Sequence, residues 1–376
     1  MKILSKNERE LIAQVQKFAS VHVAPNASTW ERERRFGVEA IKQAGGLGLT
    51  SIEVPTEHGG LGFSFSCKIK ILKILAGADF GFSMSLVNSH NVAKKLAHEA
   101  PQTLISEHVP SILSSSKMGG TALTEPGTGS DLASIQTTAT KESNIWQLKG
   151  RKAWIINATQ ADIIILYAQT NPGSGTSGIA AFLIDSTRPG FIREPGFDLA
   201  GQHSMGTGGF RLEGYEARPN ELLARPGKAI KFFLNEINEA RTYVAAMCCG
   251  MVETALDICR NYGRKRKTFG KTLNTHQGWL WSLSDAETDL AAAQLLVQEA
   301  TAHIEKGADT QLIAAQAKIF STRMAERHLP NLTQLMGAEG LREKYPFGRH
   351  LIASRVAGYV EGSTEMLLDR VAACLK

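Results

Sequence analysis

Cysteine is scarce in this sequence, and none of it is spaced like a metal site. Five cysteines occur in 376 residues, without a CxxC pair or a Cys/His cluster at zinc spacing. Free cysteine behaves as a small apolar residue, and disulfides are rare in the cytoplasm. We therefore predict reduced cysteines in the core of a cytoplasmic protein, and no metal site.

Long hydrophobic runs are also missing. The most apolar stretch, 243–252, is far shorter than the roughly 20 residues that a membrane-spanning helix needs. The N-terminus becomes polar before the apolar core of a signal peptide could form, and Ala373 stands where a prenylated cysteine would be. We therefore predict no membrane span and a cytoplasmic location.

Repeats and low-complexity tracts are absent, and the composition is that of a globular protein. Hydrophobic residues make up 43% and charged residues 21% of the chain, which predicts two or three packed domains at this length. The net charge of +6 suits an anionic ligand such as a nucleotide. The acid-free basic run at 260–271 comes without a recognition motif, so we predict no nucleic-acid partner.

Hydrophobic spacing divides the chain into helices, then strands, then helices again. Apolar residues recur at spacings of three and four through much of 1–118, as on the buried face of a helix. From 119 to 225, short apolar or alternating runs are separated by Gly, Pro, Asn and Ser, which predicts a small β-sandwich or barrel. From 226 to 376, three long apolar stripes predict a helical bundle. The result is an α+β fold of three domains with these limits.

Prolines and one late acidic residue mark the predicted helix ends. Pro25 should end the first helix and Pro330 should kink or break the third bundle helix, because proline removes a helical hydrogen bond. A last helix is predicted to start near Glu361.

A loop of glycine and hydroxyl residues lies at the border between the first helical region and the strands. Residues 121–131 read TALTEPGTGSD. Such a loop can turn backbone N–H groups and hydroxyls toward phosphate or ring oxygens. Taken alone, the pattern is more typical of an ordinary turn.

Further motifs follow in a definite order. They are KAWIINA at 152–158, RKTFGK at 266–271 followed by His276 and Gln277, QLMGAEG at 334–340, and EGSTEM at 361–366. Together with PTEHGGLG at 55–62 and with His90, they make the sequence resemble the acyl-CoA dehydrogenase family over essentially its whole length. That family carries LTEPxxGSD, KxWITN, RxxFGxxLxxxQ, QxxGGxG and EGTxE in this order.

The resemblance implies a flavoenzyme that binds FAD. The family has an N-terminal helical domain, a central β-domain and a C-terminal four-helix bundle. Its FAD lies between the last two domains and reaches a neighbouring subunit, so we expect a homotetramer or a homodimer. By motif match, the residues expected to hold FAD are Leu123, Thr124, Gly129, Ser130, Trp154, Ile156, Arg266, Thr268, Phe269, His276, Gln277, Gln334, Gly337, Ser363 and Glu365.

Glu361, in the EGSTE motif, is the expected catalytic base. In the family this Glu removes the α-proton of an acyl thioester while flavin N5 takes hydride from the β-carbon. An apolar cleft raises the pKa of a carboxylate toward the working pH, whereas the first turn of a helix lowers it. Because some branches place the base on the first long bundle helix, Glu239 and Glu253 stay open as alternatives.

Two residues are expected to bind the substrate. Arg241 matches the arginine that helps to position the CoA end of the substrate in the family, and Ser130 is expected to contact the substrate as well. The alternative for Arg241 is an ion pair with Glu236 or Glu239 inside the bundle.

Several positions depart from the family pattern, and they widen the range of functions. The departures are Ile156 for the Thr that bonds flavin N5, Val360 for the usual Tyr, Ala353 for Asp and Ala338 for the second Gly of QxxGG. The leading prediction is α,β-dehydrogenation of an acyl-CoA or acyl-carrier-protein thioester, with electron-transfer flavoprotein or oxygen as the electron acceptor. A flavin-dependent oxygenase or oxidase acting on such an ester, and a non-enzymatic scaffold of the same fold, are the alternatives.

Overall fold

A computed structural model describes residues 3–234 and 236–375. The chain begins with α1 (Lys6–Phe18), α2 (Ala24–Arg32), α3 (Val38–Gly46), α4 (Phe65–Ala78), α5 (Phe80–Glu99) and α6 (Gln102–Leu113). A capping box fixes the start of α1: the Ser5 hydroxyl accepts from the Glu8 N–H, and the Glu8 carboxylate accepts from the Ser5 N–H at 2.7 Å. α5 is the most deeply buried of these helices and leads toward the strands.

Eight strands follow, and they form one sheet. They are β1 (Gly119–Ala122), β2 (Thr138–Glu142), β3 (Ile145–Ile155), β4 (Ile163–Gln169), β5 (Ile179–Asp185), β6 (Phe191–Arg193), β7 (Gly208–Ala217) and β8 (Leu222–Ala224). The order is β6-β7-β3-β2-β4-β5-β8, with β1 parallel to β4. β2 and β4 are joined by one residue pair only, so the sheet has two halves, β6-β7-β3-β2 and β4-β5-β8. Side chains from both halves bury one hydrophobic cluster that includes Leu148, Phe182 and Phe210. The predicted sandwich-like β-region is thereby confirmed.

The last part of the chain is helical apart from one hairpin. It comprises α7 (Ala229–Leu234), α8 (Ile237–Gly263), β9 (Lys267–Thr268), β10 (Lys271–Thr272), α9 (Gln277–Lys306), α10 (Gln311–Leu335), α11 (Phe347–Tyr359) and α12 (Thr364–Ala373). α8 and α10 run in the same direction, since Cys249 Sγ lies 4.0 Å from Ser321 Oγ and Cys259 Sγ lies 3.3 Å from the Leu332 carbonyl. Trp279, at the start of α9, donates to the Leu335 carbonyl at 3.2 Å, so α9 runs the opposite way.

Two prolines do not end their helices as predicted. Pro25 does not stop the helical path, because a π-helical turn leads from α1 into α2, where Pro25 occupies the first turn and its missing N–H is not needed. α10 continues through Pro330, next to Leu329, which is fully buried in the bundle core. The last helix starts at Thr364, close to Glu361 as predicted, whereas α11 precedes it without having been predicted.

The long helix α8 is the centre of the C-terminal core. Together with α7 it forms the segment Ala229–Gly263, which is long and apolar enough, by length and composition only, to cross a membrane, but 78% of its most apolar window is buried inside the protein. Such burial is typical of the core helix of a soluble protein. Four of the five cysteines are buried as predicted, whereas Cys374 is exposed on the last turn.

Candidate active site

Glu361 lies in the turn between α11 and α12. Its φ is +55°, in the left-handed region that non-glycine residues seldom occupy. Lys318 on α10, which is 1% exposed, donates from Nζ to the carbonyl oxygens of Val360 and Gly362 on either side. Arg241 Nε donates to the carbonyl of Glu361 itself at 3.5 Å. Three successive carbonyls are therefore held by two cations, which fixes the turn that presents the Glu361 side chain.

The Glu361 carboxylate is half-buried beside Tyr243. The Tyr243 hydroxyl donates to Glu361 Oε1 at 3.4 Å. Removal from water raises the pKa of Glu361, while Lys318, the Tyr243 hydrogen bond and Arg241 lower it without cancelling the effect of burial. A carboxylate with a raised pKa can accept a proton near neutral pH and release it again, as a general base must.

A polar network leads from Glu361 into the protein. Asn91 Nδ2 donates to the Tyr243 hydroxyl at 3.3 Å, and Asn91 Oδ1 accepts from Lys68 Nζ at 3.1 Å. The Lys68 ammonium also stands 5.5 Å from the centre of the Tyr243 ring. Asn91 is on α5, Tyr243 on α8 and Lys68 on α4, so side chains from three helices meet behind the carboxylate.

Behind Asn91 lies a set of charges that we call the ion cluster: Glu53, Lys68, Lys94 and Glu239. Lys68 bonds Glu53 at 2.6 Å, and Lys94 bonds Glu53 at 3.3 Å and Glu239 at 2.7 Å. The two lysines hold the pKa of Glu53 at about 2 despite its burial. His90 accepts from the Glu53 N–H at 3.1 Å, and burial lowers its pKa to about 3, so it is neutral. The cluster thus pairs two cations with two carboxylates.

The two alternative bases are engaged elsewhere. Glu239 belongs to the ion cluster, where burial and the neighbouring Glu53 raise its pKa. Glu253 pairs with Lys73 at 2.8 Å and is 45% exposed. Among the residues suggested by the sequence, Glu361 therefore has the environment that best suits a base.

Arg241 has contacts different from the predicted alternative. Its guanidinium donates to Asn238 Oδ1 at 3.0 Å and to the Glu361 carbonyl, rather than pairing with Glu236 or Glu239 in the part of the chain that the structure describes. Arg241 is 8% exposed. It can therefore act on a group that enters beside Glu361.

The loop after β1 is rigid and lies against the end of β3. Lys152, fully buried, donates to the Leu123 carbonyl and to Glu125 Oε1, each at 2.8 Å, and Ala153 N donates to the Thr124 carbonyl at 3.1 Å. Burial lowers the pKa of Lys152 to about 8. The loop then continues through Gly129 and Ser130, which are exposed, and a Cβ at Gly129 would have no neighbour within 4 Å. The loop therefore exposes backbone and a hydroxyl group to solvent at these two residues.

A strained β3 end carries Trp154 and Ile156. Trp154 has φ +60° and is 56% exposed, with its ring centroid 4.6 Å from that of Phe197. Ile156 is buried in the same cluster as Tyr243, and Asn157 holds it in place by donating to the carbonyls of Ser85 and Gly119 at 2.9 Å each. The strand end therefore packs into the same hydrophobic core as α8.

Ser363 and Glu365 follow Glu361 in the sequence, at the start of α12. The Ser363 hydroxyl oxygen accepts from the Met366 N–H at 3.4 Å and so caps α12. Glu365 is exposed in the first turn. Their predicted part in holding a cofactor stays a prediction.

The remaining predicted cofactor residues form a second group at the other end of the bundle, called here the distal group: Arg266, Thr268, Phe269, His276, Gln277, Gln334 and Gly337. His276 Nε2 lies 3.2 Å from the Thr268 carbonyl. Phe269 has φ +50° and is 94% exposed at the tip of the β9–β10 hairpin. A groove of about 690 Å³ between α8 and α9 lies beside this group and includes Trp279.

The two groups are far apart within one chain. Arg241 marks the Glu361 end of α8, and Gly263 marks the distal end, where Trp279 packs on it. At about 1.5 Å per residue, α8 between these two positions spans about 33 Å. One chain therefore does not bring the distal group to Glu361.

Sequence reasoning missed Tyr243, Lys318 and Asn91. None of them lies in a motif quoted from the sequence, and each is a polar residue on a largely buried helix. A buried lysine or tyrosine on an apolar helix face needs a partner, and that was the available signal. The sequence alone does not say which partner each one meets.

Comparison with known proteins covers nearly the whole chain. Three family models match: "Acyl-CoA dehydrogenase, N-terminal domain" over residues 5–116, "middle domain" over 120–215 and "C-terminal domain" over 228–376. The acyl-CoA dehydrogenase of Bacillus subtilis (strain 168) is 30% identical over 94% of this chain and 93% of its own. The human mitochondrial short-chain specific acyl-CoA dehydrogenase is 30% identical over 96% of this chain and 88% of its own.

Solved structures give the same result. The butyryl-CoA dehydrogenase of Megasphaera elsdenii superposes with a TM-score of 0.95 at 27% identity, covering 100% of both chains. A glutaryl-coenzyme A dehydrogenase in complex with glutaryl-CoA superposes with a TM-score of 0.93 at 27% identity, covering 100% of this chain and 96% of its own.

Proposed function

Because this chain belongs to the acyl-CoA dehydrogenase family, a family of flavoprotein oxidoreductases, we propose that it oxidises an acyl-CoA thioester between its α- and β-carbons with Glu361 as the base. The observation that carries this proposal is the half-buried Glu361 carboxylate, with its raised pKa, on a turn held by Lys318 and Arg241.

The residues divide the reaction as follows. Glu361 takes the α-proton, and the electron pair left behind forms the α,β double bond as the β-hydrogen leaves as hydride. The Tyr243 hydrogen bond orients the carboxylate, and Lys318 holds its backbone. Arg241, whose guanidinium donates to the Glu361 carbonyl, binds the CoA end of the substrate. Because the carboxylate is partly removed from water, proton transfer needs little solvent rearrangement.

The loop after β1 and the end of β3 offer groups that suit a flavin, and we propose FAD. The exposed Trp154 ring offers a flat apolar surface, while Gly129 and Ser130 offer open backbone and a hydroxyl at its edge. Leu123, Thr124, Ile156, Ser363 and Glu365 would complete this end of the site. When bound, the flavin supplies the two-electron acceptor for the hydride. The pyrophosphate of FAD suits an arginine fork such as that of Arg266.

We further propose that a second copy of the chain completes the FAD site. The distal group lies about 33 Å from Arg241 along α8, so its residues serve the same cofactor as Glu361 only if they belong to a neighbouring subunit. The 94% exposed Phe269 at the hairpin tip supports this reading, because an aromatic ring on a strained, protruding turn gains stability from burial. A homodimer or a homotetramer meets this requirement.

The test is anaerobic reduction of the FAD-loaded protein by butyryl-CoA, which is measured as the loss of flavin absorbance. Replacing Glu361 by Gln keeps the size and hydrogen bonding of the side chain but removes the base. Flavin reduction should fall by about two to four orders of magnitude, with FAD still bound. Glu253→Gln is the matched control and should react normally. Normal reduction in Glu361→Gln together with loss in Glu253→Gln would assign the base to Glu253 instead.

Ile156 favours a second candidate, in which oxygen is the productive electron acceptor. The side chain is 9% exposed, apolar and unable to donate a hydrogen bond where the family has Thr, so the polar environment of the bound flavin ring differs. Oxygen consumption with a substrate that reduces the flavin, compared between the unmodified protein and Ile156→Thr, tests this. If the unmodified protein consumes oxygen rapidly and forms product, and if Ile156→Thr consumes it more slowly, the protein is an oxidase or oxygenase. Slow uptake in both leaves electron-transfer flavoprotein as the proposed acceptor.

Two parts of the proposal concern the carrier of the acyl group and the location of the protein. An acyl-carrier-protein thioester presents the same reacting carbons to Glu361, so comparing it with the CoA ester decides between the two carriers. The positive net charge of +6 favours either anionic carrier. We propose a cytoplasmic location on the basis of the four buried free cysteines.

A further inference from the structure

We propose that Tyr243, Asn91 and Lys68 form a polar wall that ends the acyl pocket directly behind Glu361, so that the enzyme accepts short acyl groups and rejects long apolar ones. This inference rests on the proposed function, because it requires Glu361 to face the α-carbon of an acyl thioester.

The position of the wall follows from the base. The α-carbon must come within hydrogen-bond reach of the Glu361 carboxylate. CoA is large and charged, so it stays on the solvent side near Arg241, and the acyl tail points toward the interior. On that side the Tyr243 hydroxyl already lies 3.4 Å from Oε1, and Tyr243 is 2% exposed. The tail therefore meets the phenol of Tyr243 within the first few carbons after the thioester.

The wall is held from behind by hydrogen bonds between its own members. Asn91 links Tyr243 to Lys68, and Lys68 lies under the Tyr243 ring with its ammonium 5.5 Å from the ring centre. Moving Tyr243 aside would separate Asn91 from its acceptor and expose Lys68, which is 1% exposed, to hydrocarbon. A buried ammonium that loses its hydrogen-bond partners destabilises the folded state, and an alkyl chain cannot accept a hydrogen bond to replace them.

The ion cluster behind the wall blocks the next layer as well. Lys94 and Glu239 continue the pairing beyond Glu53 and Lys68, so a tail that passed Tyr243 would enter a region of paired charges rather than an apolar tunnel. Apolar carbon cannot replace the hydrogen bonds of such groups. A short acyl group, such as butyryl, stops before the wall and leaves every pair intact.

A chain-length series tests the proposal on the FAD-loaded protein. Butyryl-, octanoyl- and palmitoyl-CoA are compared by the rate of anaerobic flavin reduction, and by calorimetric binding to Glu361→Gln, which does not turn over. We expect kcat/KM for butyryl-CoA to exceed that for octanoyl-CoA by on the order of 100-fold. Tyr243→Ala should reduce this preference by about 10-fold or more, whereas Tyr243→Phe keeps the ring and should retain the preference.

A charge variant gives an independent measurement. Lys68→Met replaces the buried ammonium by an apolar chain and should raise the relative use of octanoyl-CoA. Lys73→Met is the matched control, because Lys73 lies on the same helix but pairs with Glu253 at the surface; it should leave the preference unchanged. If Lys68→Met does not fold, Tyr243→Ala decides.

Several results would overturn the proposal. They are equal use of octanoyl- and butyryl-CoA by the unmodified protein, or an unchanged chain-length preference in Tyr243→Ala. If no acyl-CoA of any length reduces the flavin, the proposed function fails instead, and the affinities of Glu361→Gln for the three esters still decide whether the wall limits the acyl chain.

Discussion

Replacing Lys318 by Met should change the pH dependence of catalysis more than it changes stability. The Lys318 ammonium donates to the carbonyls of Val360 and Gly362 and is the strongest of the groups that lower the pKa of Glu361. Met has nearly the same length but no charge. Without the ammonium, the pKa of Glu361 should rise further, so the pH at which flavin reduction reaches half its maximum should move upward.

The cost in stability can be worked out from the same contacts. Leaving two buried carbonyls unpaired costs about 1–3 kcal/mol each. Against this, burial lowers the pKa of Lys318 from 10.5 to about 8, so keeping the lysine charged near neutral pH costs the folded state about 3 kcal/mol, which Met avoids. We therefore expect the free energy of unfolding to fall by no more than about 3 kcal/mol, as measured by urea unfolding.

The decisive assay is the anaerobic rate of flavin reduction by butyryl-CoA as a function of pH. Lys73→Met is the control: it breaks the Lys73–Glu253 pair, whose side chains are 25% and 45% exposed, and should cost less than about 1 kcal/mol without moving the pH profile. An unchanged profile in Lys318→Met, together with a loss of stability, would show that Lys318 only supports the turn and that its charge does not act on Glu361.

Three further changes test other parts of the structure. Arg266→Ala should weaken FAD binding and subunit association together, by about 1.5–3 kcal/mol; unchanged flavin content and sedimentation would place Arg266 on a solvated face. Burial lowers the pKa of His350 to about 3. Below about pH 6.5 the unfolded chain therefore binds a proton at His350 that the folded chain does not bind. The free energy of unfolding should decrease as the pH falls from about 6.5 toward 3. His350→Gln can still donate to the Gly77 carbonyl and should make that decrease shallower in urea titrations; an equal slope would contradict the assignment. Ser363→Ala removes the N-cap of α12 and should cost about 1 kcal/mol, which Ser363→Thr should restore.

Local patterns in the sequence were sufficient for the order of elements but not for every helix end. The periods of 3.6 and 2 predicted helices, strands and helices, because burial of one face imposes them on each segment separately. The predictions at Pro25 and Pro330 failed because the effect of a proline is not set by its own segment alone. The effect of a proline depends on whether its missing N–H is needed and on the packing around it, and α10 continues past Pro330 beside Leu329, which is buried in the bundle core.

The candidate site shows the same division. Glu361 could be chosen from its motif, and Trp154 from its place in KAWIINA. Tyr243, Asn91 and Lys318 could not, since their roles come from contacts between α4, α5, α8, α10 and the turn at 360–362, which are far apart in the sequence. Spacing along one chain predicts which residues share a helix face, but not which buried polar groups meet across helices.

The length of α8 has a consequence for how the protein should behave on dilution. With the Glu361 end and the distal group at opposite ends of one helix, the proposed FAD site draws its contacts from two copies of the chain. Cofactor loading and subunit assembly are then linked equilibria, so each should strengthen the other by mass action. The apparent affinity for FAD should accordingly fall as the protein is diluted below its assembly constant, and added FAD should protect the assembled form against dissociation.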